Sequence, residues 1–184
     1  MLHTFVVYVE NKPGVLNRVS SLFRRRAYNI ESLTVGHTEK EGVSRMTIVV
    51  DTDEGGAFRL QANLYKLVNV LLVEDISAAA AVKRDLAMIK VQTTGENRSH
   101  ILQLAHVFRA RVVDVAPESI IVEITGTEDK IDGLLEVLRP YGVLEMVRTG
   151  RVAMSRGSKN AGGGISATTS TVYEDGGEDV AYSV

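Results

Sequence analysis

Over residues 2–10, Phe5, Val7 and Val9 share one face of an extended chain, and Thr4, Val6 and Tyr8 share the other. A strand largely covered on both faces belongs inside a sheet rather than at its edge. The period then changes. From Gly14 onward Val15, Leu16, Val19, Leu22 and Phe23 recur at helical spacing, with Arg18 and Ser21 directed outward. The helix ends in Arg24-Arg25-Arg26, cations that suit the partial negative charge at a helix C-terminus. Residues 30–38 and 43–51 are β-rich runs separated by Glu39-Lys40-Glu41-Gly42, a hairpin signal. Gly55-Gly56 opens a second helical stretch carrying Phe58, Leu60, Leu64 and Leu67, and residues 70–76 return to strand. The order β-α-β-β-α-β is the split βαβ, or ferredoxin-like, unit.

The order then repeats. Residues 86–94 read as strand, and Gly95-Glu96-Asn97 leads into a helix with Ile101, Leu102, Ala105 and Phe108 inward. Two further strands, 112–116 and 120–125, flank a turn at Pro117-Glu118. Residues 129–138 are helical, with Ile131, Leu134, Leu135 and Leu138 at the right spacing, and 143–155 form a last strand interrupted near Gly150. Between the halves, residues 77–82 contain four consecutive alanines, which alone favour helix. Placed between two strands they read more simply as a connection. The fold class predicted is α+β: two tandem ferredoxin-like βαββαβ domains, 1–77 and 85–157, joined by a linker at 78–84. After Arg156 the glycines, serines and threonines and the acidic run at 174–179 cannot bury much apolar area, so 158–184 reads as a flexible tail with a solvated acidic end.

Composition narrows the chemistry. The chain has 184 residues, 45% of them apolar, and a net charge of −2, which gives no overall pull toward nucleic acid or acidic membranes. It has no cysteine, so disulfides, thiolate metal sites and Cys nucleophiles are excluded. No run approaches the roughly 18 apolar residues of a membrane span, and the N-terminus enters a strand pattern at once without signal-peptide character. A cytoplasmic location is expected. Of the histidines His3, His37, His100 and His106, only the last two are close, and their six-residue gap does not put them on one helix face. No nucleophile elbow, phosphate loop or dinucleotide fingerprint occurs. An RNA-recognition module shares the element order, but Val6-Val7 and Ile48-Val49-Val50 offer aliphatic surface where that module stacks bases on aromatics. Arg24-Arg25-Arg26 is better accounted for as a helix-end cluster.

One stretch draws the rest together. Asn11-Lys12-Pro13-Gly14-Val15-Leu16 is a strand-to-helix turn, ordinary as turn chemistry but able to aim backbone N–H groups at an anion. Asn29 lies just beyond the same helix, and a side-chain amide can both donate and accept. An α-amino acid needs donors for its carboxylate, acceptors for its ammonium and apolar walls for its side chain. Leu16, Ile30 and Val35 are candidate walls, and a small apolar pocket favours a branched aliphatic side chain.

Asn11 to Leu16, Tyr28-Asn29-Ile30-Glu31-Ser32-Leu33-Thr34-Val35, Ser44-Arg45-Met46-Thr47-Ile48 and Lys66-Leu67-Val68-Asn69-Val70 together resemble the regulatory small subunits of acetolactate synthase (acetohydroxyacid synthase). The resemblance continues through Phe108-Arg109, Val113-Asp114-Val115 and Ser155-Arg156-Gly157. The Asn11 turn alone would indicate only an ACT domain, the wider class of amino-acid-sensing modules. The resemblance implies an N-terminal ACT domain, a C-terminal ferredoxin-like domain, and a homodimer whose ACT domains pair side by side with valine at the interface. It places Asn11 and the amides of Gly14, Val15 and Leu16 on the effector from one subunit, with Asn29 and Ile30 closing the site from the other. It implies a large catalytic partner carrying thiamine diphosphate, a divalent metal such as Mg and FAD, none of them held by this chain, which has no catalytic or metal-binding residues of its own. It also implies activation of that partner and feedback inhibition in branched-chain amino-acid synthesis. The hairpin around residues 39–45 is the expected contact with the partner. A stand-alone ACT tandem without a catalytic partner is the alternative. Two departures stand out: Ala27 occupies a position where glycine is usual, so Tyr28 or Asn29 is expected to take the left-handed conformation there, and the tail is longer than usual.

Overall fold

A computed structural model describes residues 1–157; the tail expected at 158–184 lies outside the described residues. The first unit runs β1 (Leu2–Glu10), α1 (Val15–Arg25), β2 (Ile30–His37), β3 (Val43–Asp51), α2 (Glu54–Leu64) and β4 (Val70–Asp75). The second runs β5 (Ala81–Gln92), α3 (Arg98–Val107), β6 (Arg111–Val115), β7 (Ser119–Gly126), α4 (Glu128–Leu138), β8 (Val143–Arg148) and β9 (Val152–Ser155). Both sheets are antiparallel, ordered β2-β3-β1-β4 and β6-β7-β5-β8. The fold is α+β, two ferredoxin-like units in tandem.

The alternation seen in the sequence sets each register. Phe5 faces Ile48 and Val7 faces Met46, so β1 and β3 turn the same side toward α1 and α2. There they bury Phe5, Val7, Met46 and Ile48 with Val19, Phe23, Leu60 and Leu64. The second core repeats the arrangement with Ile89, Val122 and Ile124 beneath Ile101, Ile131 and Leu134.

Two leucines expected inward face solvent instead: Leu16 is 43% exposed and Leu102 41%. Leu16 shares the side of α1 that carries Phe23, seven residues on, but lies in the first turn of the helix, and Leu102 stands about 100° of helix from the fully buried Ile101.

Ala27 also departs from expectation. It takes the left-handed conformation itself, at φ 56°, rather than passing it to Tyr28 or Asn29. The Ala27 N–H donates to the Arg24 carbonyl (3.2 Å) and the Tyr28 N–H to the Phe23 carbonyl (3.1 Å), a Schellman ending that satisfies the last carbonyls of α1. α3 ends the same way on Arg109, at φ 53°.

The connection between the units is shorter than the 78–84 linker read from the sequence. β5 already begins at Ala81, and its first four residues pair with β9, Ala81 opposite Ser155 and Arg84 opposite Val152. A partner some 70 positions later in the chain overrides the helix preference of alanine here, and local sequence cannot display such a partner. β9 thereby lies over the helix-free face of the first sheet, where Ala153 joins Val6 and Ile76 in a small buried cluster. Arg45, at the end of the 39–45 hairpin, lies over the Tyr8 ring (5.7 Å) and donates to the Ala153 carbonyl. The outward part of that hairpin is its tip, where Glu39 and Glu41 are exposed.

Candidate functional site

The turn after β1 is built around Gly14, whose φ of 81° belongs to the left-handed region that glycine adopts without a Cβ clash. This conformation swings the chain into α1. The Asn11 N–H donates to the Gly42 carbonyl (2.8 Å), fixing the turn to the mouth of the β2–β3 hairpin. The Asn11 amide nitrogen lies 3.5 Å from Nδ1 of His37 at the end of β2. No side chain caps the start of α1 and its first turn holds no acidic residue. The Val15 N–H is taken up by the Lys12 carbonyl (3.4 Å), and the amides that follow it present uncapped N–H groups and the positive end of the helix dipole beside Asn11.

Beneath the turn lies a polar brace that sequence reading did not find. Asn69 donates to Glu10 Oε2 (2.5 Å), accepts from the Arg18 guanidinium, and through its carbonyl accepts the Glu10 N–H (2.9 Å). Lys12 stands 3.2 Å from the same Glu10 carboxylate. The Asn69 hydrogen bond, followed by that of Lys12, holds the Glu10 carboxyl below its ordinary range. The available signal was the turn residue Asn69 just ahead of β4, which matters only once β4 is seen to lie beside β1.

Asn29 and Ile30 lie at the other end of α1. Asn29 is exposed and donates to Glu31 Oε1 (2.5 Å), while Ile30 packs on the first core. Asn11, Gly14, Val15 and Leu16 thus cluster at one end of an 11-residue helix and Asn29 and Ile30 at the other, about 16 Å apart along its axis. Within one chain the two groups do not meet. Both nevertheless border β2, which is the outer strand of its sheet.

A second polar cluster has the residue types of a hydrolytic triad without its geometry. His3 Nδ1 is 3.0 Å from Asp75 Oδ2 and 3.4 Å from Ser77 Oγ, so acid and hydroxyl compete for one nitrogen. A triad needs them on opposite nitrogens. Among the described residues no group of three or more His, Asp or Glu could hold a metal ion, and no helix is long and apolar enough to cross a membrane.

Comparison with known proteins decides the family. The profile described as the AHAS small subunit-like ACT domain matches residues 5–72, and that described as the small subunit of acetolactate synthase matches residues 84–157. The chain belongs to the acetolactate synthase small-subunit family. It is 50% identical over 159 residues to the "Probable acetolactate synthase small subunit" of Archaeoglobus fulgidus, covering 86% of this chain and 99% of that one. It is 47% identical to the acetolactate synthase small subunit of Mycolicibacterium smegmatis, covering 87% and 95%. The crystal structure of the small subunit from Thermotoga maritima superposes with a TM-score of 0.80 at 38% identity, over 86% of this chain and 99% of that one. Both units of the fold therefore belong to the small-subunit family, and β1–β4 form an ACT domain.

Proposed function

We propose that this small subunit is the effector sensor of an acetolactate synthase: it binds valine between the ACT domains of a homodimer, activates a catalytic subunit and makes it sensitive to feedback. The observation that carries the reading is the placement of the two half-sites along β2. If β2 pairs antiparallel with its copy about a two-fold axis, the start of one strand lies beside the end of the other. Asn29 and Ile30 of one chain then come alongside His37, Asn11 and the α1 N-terminus of its partner. β2 presents an unpaired edge for such an addition.

The chemistry of the joined site suits an amino acid. The uncapped α1 amides receive the carboxylate, and the Asn11 and Asn29 amides supply acceptors for the ammonium. Leu16 and Val35, 43% and 45% exposed, supply apolar surface for a branched side chain. Ligand-binding strength then depends on how the two chains pair, and valine shifts the enzyme by its differential affinity for two arrangements. The catalytic partner is the carrier of thiamine diphosphate, divalent metal and FAD in this reading, and the complex is cytoplasmic.

Calorimetry of the purified chain against valine, leucine and isoleucine tests it, together with assay of the reconstituted complex. Valine should bind, and Gly14→Asp should abolish binding and feedback while activation persists. Gly14→Ala carries a comparable backbone cost without the charge, and its Cβ would meet nothing within 4 Å. It should retain most of the binding. A folded chain that binds none of the three, or a Gly14→Asp variant still inhibited by valine, contradicts the reading.

A further inference from the structure

The first unit must convey what happens at β2 to the second, and the contacts between them are unevenly placed. β2 is hydrogen-bonded to the connector from β8 to β9 in the second unit. The Arg151 N–H donates to Ser32 Oγ (2.7 Å), and the Thr34 hydroxyl donates to the Arg151 carbonyl. Ser32 and Thr34 lie on the face of β2 opposite the helices, across from Val49 and Thr47 of β3. Between these two bonds Gly150 sits directly on the strand. A Cβ added there would stand 2.7 Å from Ser32 Oγ and 2.8 Å from the Leu33 carbonyl oxygen, closer than real Cβ atoms approach.

The connector is held as firmly on its other side. The Thr149 N–H donates to the Leu86 carbonyl (2.9 Å) and its hydroxyl accepts the Leu86 N–H (3.0 Å). Arg148 donates through two nitrogens to Asp85 Oδ2 (3.1 and 2.9 Å) and through a third to Asp132 Oδ1 on α4 (3.0 Å). Arg151 reaches Glu128 at the start of α4 (2.9 Å) and Thr4 of β1 (3.4 Å). Backbone contact on one side and charge-assisted bonds on the other leave no slack side chain to absorb a shift of β2. A cavity of about 410 Å³, with Leu33, Val49, Asp85, Arg148 and Arg151 in its lining, opens beside the connector.

We propose that Gly150 and Arg151 form the coupler through which the pairing state of β2 reaches α4 and β5 of the second unit. The inference rests on valine acting at β2. A displacement of β2 on effector binding either drags the connector, and with it Asp85 and the α4 N-terminus, or breaks both bonds to Arg151. The coupler thus serves inhibition, whereas effector binding needs only the first unit.

Two variants separate those functions. Gly150→Ala forces the connector off β2. Ser32→Ala combined with Thr34→Val removes both hydrogen bonds with little change in volume, and covers the case that Gly150→Ala does not fold. For each, valine affinity of the purified chain is measured by calorimetry, and the valine concentration giving half-inhibition is measured in the complex with the catalytic subunit. The coupler predicts affinity within about threefold of the unaltered chain and half-inhibition displaced at least about tenfold, or a lower maximal inhibition, a size typical of coupling between sites. An unaltered chain that binds no valine overturns the effector reading and the coupler with it. An unaltered chain that binds, with both folded variants inhibited as before, overturns the coupler alone.

Discussion

Ala27 holds α1 in a conformation that an L-residue occupies at a cost of about 1–2 kcal/mol. Its Schellman bonds leave no freedom to relax, since both its own N–H and that of Tyr28 are committed. Ala27→Gly should therefore stabilise the chain by about 1 kcal/mol after the entropy of the added glycine is set against it, raising the thermal midpoint by about 2–4 °C. Calorimetric unfolding checks this, and an unchanged or lower midpoint contradicts it. Asp75 provides a pH-dependent counterpart. Its partial burial raises its pKa, but hydrogen bonds from the Ser77 hydroxyl and N–H and from His3 outweigh that and leave the carboxyl below its usual range. A depressed carboxylate stabilises the fold fully above its unfolded value and loses that contribution as pH falls through its folded one. Asp75→Asn should accordingly lower the denaturant midpoint at pH 7 more than at pH 3. At this scale the sequence announced that the position after α1 needs a left-handed residue. It did not reveal that alanine itself would comply, because asparagine tolerates that conformation better than alanine and Asn29 stood two residues away.

The elements were legible wherever one side of a strand or helix is buried, because burial imprints a period on the chain. Val15, Val19, Leu22 and Phe23 mark the inner stripe of α1, and Phe23 is 1% exposed. Phe23→Ala should cost about 3–5 kcal/mol. Leu16→Asn, half-exposed in the first turn of the same helix, should change stability by less than about 0.5 kcal/mol yet weaken valine binding about tenfold. Denaturation and calorimetry on the pair test whether α1 divides its residues between core and effector; equal losses of stability would show that it does not. The start of β5 was not legible. Residues 81–84 have no partner until β9 arrives from beyond β8, and a strand made by distant pairing leaves little trace in its own composition. The same non-locality concealed the Gly150 approach to β2, the Asn11–His37 contact and the Asn69 brace under the turn.

For the whole molecule the central claim is that each effector site is completed by a second chain. Both halves of the proposed site were identified in the sequence, yet the structure places them at opposite ends of α1, and in the proposed dimer an antiparallel pairing of β2 edges reunites them. This geometry makes a prediction that a site within one chain does not. Gly14→Asp disables the turn half-site, and Asn29→Lys, which sets a cation against the effector's ammonium, disables the half-site lent to the partner. Homodimers of either variant contain two defective sites. A mixed dimer contains one site with both lesions and one with neither. The decisive measurement is a valine titration of the two variants separately and after subunit exchange, with dimer formation verified by sedimentation. Neither homodimer should bind, and the mixed dimer should bind one valine with the affinity of the unaltered protein. A mixed dimer that binds none, or an Asn29→Lys homodimer that binds as tightly as the unaltered chain, would contradict the shared site.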